Sequence, residues 1–142
     1  MIEITHTDIA GMLAWAAKVI GLPRFKVDAR AFGVTRDGAL CAVVVYDCFS
    51  ECDCNMHVAS DGSRTWLTRK VLKYAFGYPF IELKLRRVTS LIPAKKVDAM
   101  AFNEGLGFRL EGYCPDAMPD DGIYIRGMTR KECRFIPPEY RK

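Results

Sequence analysis

A chain of 142 residues is the length of one domain, since single domains run to about 100–150 residues. Half of its residues are hydrophobic and 27% are charged, which excludes intrinsic disorder. The net charge is a modest +4, the longest apolar stretch is Ala39 to Tyr46, and no Lys or Arg precedes Lys18; neither a bilayer span of roughly 20 residues nor a secretory leader with a basic start fits that pattern.

Ile2 to Thr5 has strand character. Thr7-Asp8 supplies N-cap chemistry for a helix whose apolar residues Ile9, Met12, Leu13, Ala16, Ala17 and Ile20 recur at helical spacing. Gly21-Leu22-Pro23 ends it. Residues 29–35 and the apolar run Ala39 to Phe49 predict a hairpin about the turn Arg36-Asp37-Gly38. Glu51 to Ala59 predicts a third, polar strand, and residues 60–63 form a turn. Thr65 to Phe76 reads as a helix with Trp66, Leu67, Val71, Leu72, Ala75 and Phe76 on one side, stopped by Gly77-Tyr78-Pro79. Its aromatic residues, with Tyr74, Tyr78 and Phe80, suit a core better than a stacking platform. Val88 to Ile92 is a strand broken by Pro93, Val97 to Leu106 a helix, and Gly107 its left-handed terminator. Phe108 to Tyr113 and Ile123 to Arg126 are strands around a loop, Cys114 to Gly122, whose Asp116, Asp120 and Asp121 make it acidic. The order β-α-β-β-β-α-β-α-β-β predicts an α+β domain, residues 1–142, with a mixed sheet of six to seven strands and helices on both faces.

Cys41, Cys48, Cys52, Cys54, Cys114 and Cys133 read as free thiols of a reducing cytoplasm. Cys48, Cys52, Cys54 and His57 raise the question of zinc. On a strand rising about 3.3 Å per residue, however, Cys48 and Cys54 would stand about 20 Å apart, and His57 has the opposite parity, so no metal is expected. Charge is unevenly spread. Residues 1–63 carry 5 Lys or Arg against 8 Asp or Glu, residues 64–96 carry 9 against Glu82 alone, and residues 97–142 carry 7 against 8. The central excess is the footprint of a polyanion, either nucleic acid or a phosphorylated cofactor. A strand that turns sharply into a helix exposes backbone N–H groups and the positive end of the helix dipole, which together suit a pyrophosphate, with Arg64 at the mouth.

Arg87-Val-Thr-Ser-Leu-Ile-Pro-Ala-Lys-Lys-Val-Asp-Ala-Met-Ala-Phe-Asn-Glu-Gly-Leu-Gly-Phe108, followed by Arg109-Leu-Glu-Gly112, resembles the fifth strand, fourth helix and GF-x-x-EG element of the GCN5-related N-acetyltransferases. Trp66 to Phe80 and Gly127 to Phe135 are similar to the subgroup near the ribosomal-protein N-terminal acetyltransferases and to short phage-encoded members. The resemblance implies a mostly antiparallel sheet and transfer of acetyl from acetyl-coenzyme A, as co-substrate, to a primary amine by direct attack in a ternary complex. It implies that Val58 and Ala59 pair with the pantetheine arm and that Ser63, Arg64, Thr65, Trp66, Leu67 and Thr68 hold the pyrophosphate. Leu67 and Arg69 stand where the family has glycines, Lys96 where it often has Asn, and Asn103 where it often has the tyrosine that protonates the departing thiolate. Asn can donate a hydrogen bond but no proton.

Direct attack requires a neutral amine and hence a base. Asp53 matches the position of a glutamate base in some family members, Glu51 lies two residues earlier, and His57 has the intrinsic pKa best suited to the task. The acceptor is open among a small molecule, a protein amine and a modified base, and a homodimer is compatible with the resemblance. Two other readings stay open: a catalytically weak binding protein of the same fold, and a nucleic-acid-binding module using residues 64–96. The setting implied is the cytoplasm of a bacterial cell or a phage-infected host, with no membrane partner.

Overall fold

A computed structural model describes all 142 residues. The elements follow the expected order: β1 (Ile2–Thr5), α1 (Ile9–Ile20), β2 (Arg30–Arg36), β3 (Ala39–Asp47), β4 (Asn55–Ser60), α2 (Arg69–Gly77), β5 (Arg87–Pro93), α3 (Val97–Leu106), β6 (Arg109–Met118) and β7 (Asp121–Thr129). They form one seven-stranded sheet in the order β1-β2-β3-β4-β5-β7-β6. Every neighbouring pair is antiparallel except β4 and β5. No helix is long and apolar enough to cross a membrane.

Period-two alternation in β3 and β4 sends side chains to both faces. On one face, Met12 and Ala16 of α1 pack on Val43, Val45 and Ala59. On the other, Val44, Tyr46 and Met56 meet Phe76 of α2, Leu106 of α3, Phe80, Phe108 and Ile136. β3 is thus buried on both sides, which explains its unbroken apolar run. Asp8 caps α1 through its carboxylate and Gly11 N–H at 3.0 Å, and Gly21, at φ 91°, ends it.

Four boundaries differ from expectation. The predicted strand from Glu51 begins only at Asn55, because local side-chain bonds hold the chain in a turn. Cys48 takes φ 54°, the amides of Cys48 and Phe49 donate to Asp28 (3.2 and 2.9 Å), and Ser50 Oγ accepts from Cys52 and Asp53 N–H. Glu51 and Asp53 therefore lie in this turn, as do Cys48, Cys52 and Cys54. Second, the helix expected from Thr65 starts at Arg69, where Thr68 Oγ1 accepts from Val71 N–H at 3.2 Å. Third, Pro79 does not stop the helical course but widens it into a π-turn over Tyr78–Glu82. Fourth, the expected loop Cys114 to Gly122 is mostly strand: β6 runs to Met118, and its pairing with β7 skips between Cys114 and Met118, where Pro115 and the positive-φ Asp116 form a bulge.

Candidate active site

β4 and β5 pair at a single register, Asn55 with Thr89, and then part. Parallel strands that stop pairing while still running side by side leave a notch in the sheet. A cleft of about 410 Å³ fills it, within the usual range for small-molecule sites. Met56 to Ser60 form one wall and Ser90 to Pro93 the other; Val19 and Ile20 of α1 close one face, and Phe102, Asn103 and Leu106 of α3 close the other.

His57 lines this cleft on the α1 face, opposite Val45 in the β3–β4 ladder. Its Nε2 stands 2.8 Å from Oδ1 of Asp47, the last residue of β3, which is 3% exposed. A carboxylate only accepts, so Nε2 carries a proton and donates, and in the neutral ring Nδ1 is the acceptor. Burial is the largest single influence and opposes ionisation of Asp47, but the hydrogen bond and charge of His57 and the backbone N–H and charge of Lys26 together outweigh it. The net effect holds this carboxyl below the usual carboxylate range. Phe25 packs on the imidazole at 5.2 Å between ring centroids. Asp47 has no place among the residues singled out from sequence. The available signal was a charged residue ending an otherwise wholly apolar run.

The two carboxylates put forward as bases are not brought to the cleft lining. Asp53 accepts from Thr89 Oγ1 at 2.9 and 3.0 Å and lies 3.7 Å from Arg87, which is also bonded to Glu111 at 2.5 Å. Glu51 is exposed in the turn before β4.

Of the residues expected to meet the cofactor, Val58, Ala59, Arg64, Trp66, Lys96 and Asn103 line the cleft. Ser63 and Thr65 lie outside its lining, where both accept from Arg36 (3.1 and 2.5 Å). Thr68 caps α2, and Leu67 packs against the larger core cluster. The loop between β4 and α2 is tied to itself. Asp61 Oδ1 accepts from Ser63 N–H and Oγ–H at 3.0 and 2.8 Å, bonds that lower the Asp61 carboxyl pKa, and Arg36 pairs with its other oxygen at 3.3 Å. Trp66 is 1% exposed, with its Nε1–H donating to Ser63 O at 2.9 Å. It is a wall of the cleft as well as a core residue. Arg64 lies over the ring of Phe102 at 4.5 Å.

These contacts disperse the basic segment. Arg87 is spent on carboxylates, and Lys96 Nζ donates to Ile20 O at the end of α1, 2.8 Å away. Asp121 of the acidic segment likewise accepts from Lys95 N–H. Two buried polar atoms have no partner in the chain: Asn103 Oδ1 and Arg126 Nε. Asn103 is 6% exposed and faces the cleft. An unpaired buried amide oxygen costs about 1–3 kcal/mol, which a bound donor or water would remove. All six cysteines are free, burial raises the Cys54 thiol to about 12, and no three His, Cys, Asp or Glu side chains come together as a metal site.

No family model and no curated protein matches the sequence. Solved structures do. A spermidine N-acetyltransferase from Vibrio cholerae, in complex with CoA and spermine, superposes with a TM-score of 0.73 at 12% identity, over 92% of this chain and 96% of that one. Mutant forms of the spermidine/spermine N-acetyltransferase SpeG from the same organism give 0.72 at 12% identity, over 91% and 95%. The ribosomal-protein-S18-alanine N-acetyltransferase from Escherichia coli gives 0.64 at 14% identity, over 91% and 94%. With its seven-stranded, mostly antiparallel sheet parted between β4 and β5, the chain has the fold of the GCN5-related N-acetyltransferases.

Proposed function

We propose that residues 1–142 form one catalytic domain that transfers an acetyl group from acetyl-coenzyme A to a primary amine. The observation that carries the reading is His57, fixed by buried Asp47 at 2.8 Å, on the wall of the cleft where β4 and β5 separate. The thioester arm fits along Val58 and Ala59, whose strand edge toward β5 has no ladder beyond Asn55. The diphosphate end is held differently from a glycine cradle. Leu67 and Arg69 occupy the positions where backbone would otherwise come close, so side-chain cations carry that contact, Arg64 first.

Within this reading, Nδ1 of His57 takes the proton of the amine as its nitrogen bonds to the thioester carbon. Asp47 keeps the ring in the tautomer that leaves Nδ1 unprotonated and stabilises the imidazolium that results. A backbone N–H near Val58 or Ala59 donates to the carbonyl oxygen as it gains charge. The carbon–sulfur bond then breaks. Asn103 hydrogen-bonds the departing thiolate, and water supplies its proton.

Two measurements on the purified protein test this. Calorimetry with acetyl-coenzyme A should show saturable binding, and thiol release with an amine panel should show turnover. His57→Ala should lower kcat by about 10²–10⁴-fold with acetyl-coenzyme A affinity retained. Asp53→Asn should leave kcat within about threefold of the parent, since its carboxylate is engaged with Thr89 and Arg87. Absence of binding, or full activity in His57→Ala, would overturn the assignment.

A further inference from the structure

Resting on that acetyl-transfer reading, we infer that the acceptor is a small primary amine on an apolar body, alkyl or aryl-alkyl, with no second positive charge. The two strands part so that the α1 face of the cleft is the side His57 serves, and its lips there are apolar. Val19 and Ile20 stand on the α1 side and Leu91 on the β5 side. Val19 is 45% exposed and Leu91 41% exposed. Aliphatic side chains left wet at the mouth of a concave site gain by being covered.

Three carboxylates are already engaged. Asp47 is buried on His57; Asp53 and Glu111 both face Arg87. Asp98 is the one carboxylate lining the cleft, two residues from Lys96, which lines it as well. A polyamine would therefore bring its far ammonium to a wall that carries Lys96 and no carboxylate pair to hold it. The same surroundings favour chemistry on a monoamine. Desolvation between Leu91 and Val19, and the charge of Lys96, both press an entering ammonium toward its neutral, nucleophilic form. His57 needs to accept only what remains of the proton's affinity.

The test uses the full chain, acetyl-coenzyme A and four acceptors: 2-phenylethylamine, hexylamine, spermidine and a short peptide with a free N-terminal alanine. N-acetyl products are read by mass spectrometry and rates by thiol release. The two apolar monoamines should exceed spermidine and the peptide by about tenfold or more in kcat/KM. Leu91→Asp should narrow the ratio of 2-phenylethylamine to spermidine by about tenfold, chiefly through KM. Val19→Asp, on the opposite lip, should do the same, so that a folding defect in one variant leaves the other to decide. Spermidine or the peptide ahead of the monoamines, an unchanged ratio in both variants, or acetyl-coenzyme A binding with no amine acetylated would each overturn the inference. No saturable acetyl-coenzyme A binding would instead overturn the reading beneath it.

Discussion

Whether His57 works as a base depends on a side chain that is almost wholly buried. Asp47 fixes the ring, so removing its charge should show in the pH dependence of catalysis before it shows in binding. Asp47→Asn should shift the acidic limb of the kcat/KM profile and lower kcat by about 10-fold or more, with acetyl-coenzyme A affinity unchanged by calorimetry. Stability carries its own signature. A carboxyl held below its ordinary range favours the folded state wherever it is ionised. That contribution is complete above about pH 5, where the unfolded carboxyl is also ionised, and is lost as the pH falls through the lower folded value. Thermal melts between pH 5 and pH 3 should therefore fall more steeply for the parent than for Asp47→Asn. Arg64 gives a complementary prediction. Arg64→Ala should weaken acetyl-coenzyme A binding by about tenfold and flatten its dependence on salt, because exposed charge contacts are the ones that salt screens. Of this chemistry, His57 could be found in the sequence by its pKa range. Its pairing with Asp47 could not, since the β3–β4 register that pairs Val45 with His57 joins residues ten apart through a turn the strand pattern did not disclose.

Among the elements, the junction of β3 with α2 shows how one residue's deficit is met by another. Pro79 has no N–H to offer Ala75 O four residues back, and the hydroxyl of fully buried Tyr46 donates to that carbonyl instead, at 2.5 Å. Tyr46→Phe should cost about 1–3 kcal/mol in urea unfolding, with little change in the m-value, because a buried acceptor loses its donor while the packing stays. This contact explains why Gly77-Tyr78-Pro79, which reads as a stop, becomes a π-turn with Pro79 and Phe80 buried. Long periodic elements were legible: α1, α3 and the β2–β3 hairpin lie within a residue or two of expectation. The polar segments were not. Around Glu51 and Asp53 the sequence lacks a period, and the backbone is set by amides that donate to Ser50 nearby and to Asp28 twenty residues away. A strand was therefore expected where a turn stands, and Glu51 and Asp53, the two carboxylates put forward as bases, fall outside the cleft lining.

At the scale of the molecule, the order of elements, the two-sided core and the sheet composition all followed from periodicity and turn residues. The departure of β5 from β4 did not, because it is a gap in pairing rather than a pattern in either strand. Ligand binding across that gap should register globally. Acetyl-coenzyme A at about 100 times its Kd should add about 2.7 kcal/mol, or roughly 8 °C in Tm, by differential scanning fluorimetry. Lys96→Ala should leave the unliganded Tm within about 2 °C, since its bond to Ile20 O is a single exposed contact. The single Asn55–Thr89 register has one more effect. It makes the sheet two plates sharing one seam, with the edge of residues 56–60 bordering an open gap. Deuterium should enter that edge sooner than the doubly flanked amides of β3, and occupancy of the gap should slow its uptake there while leaving the distant β1 margin untouched.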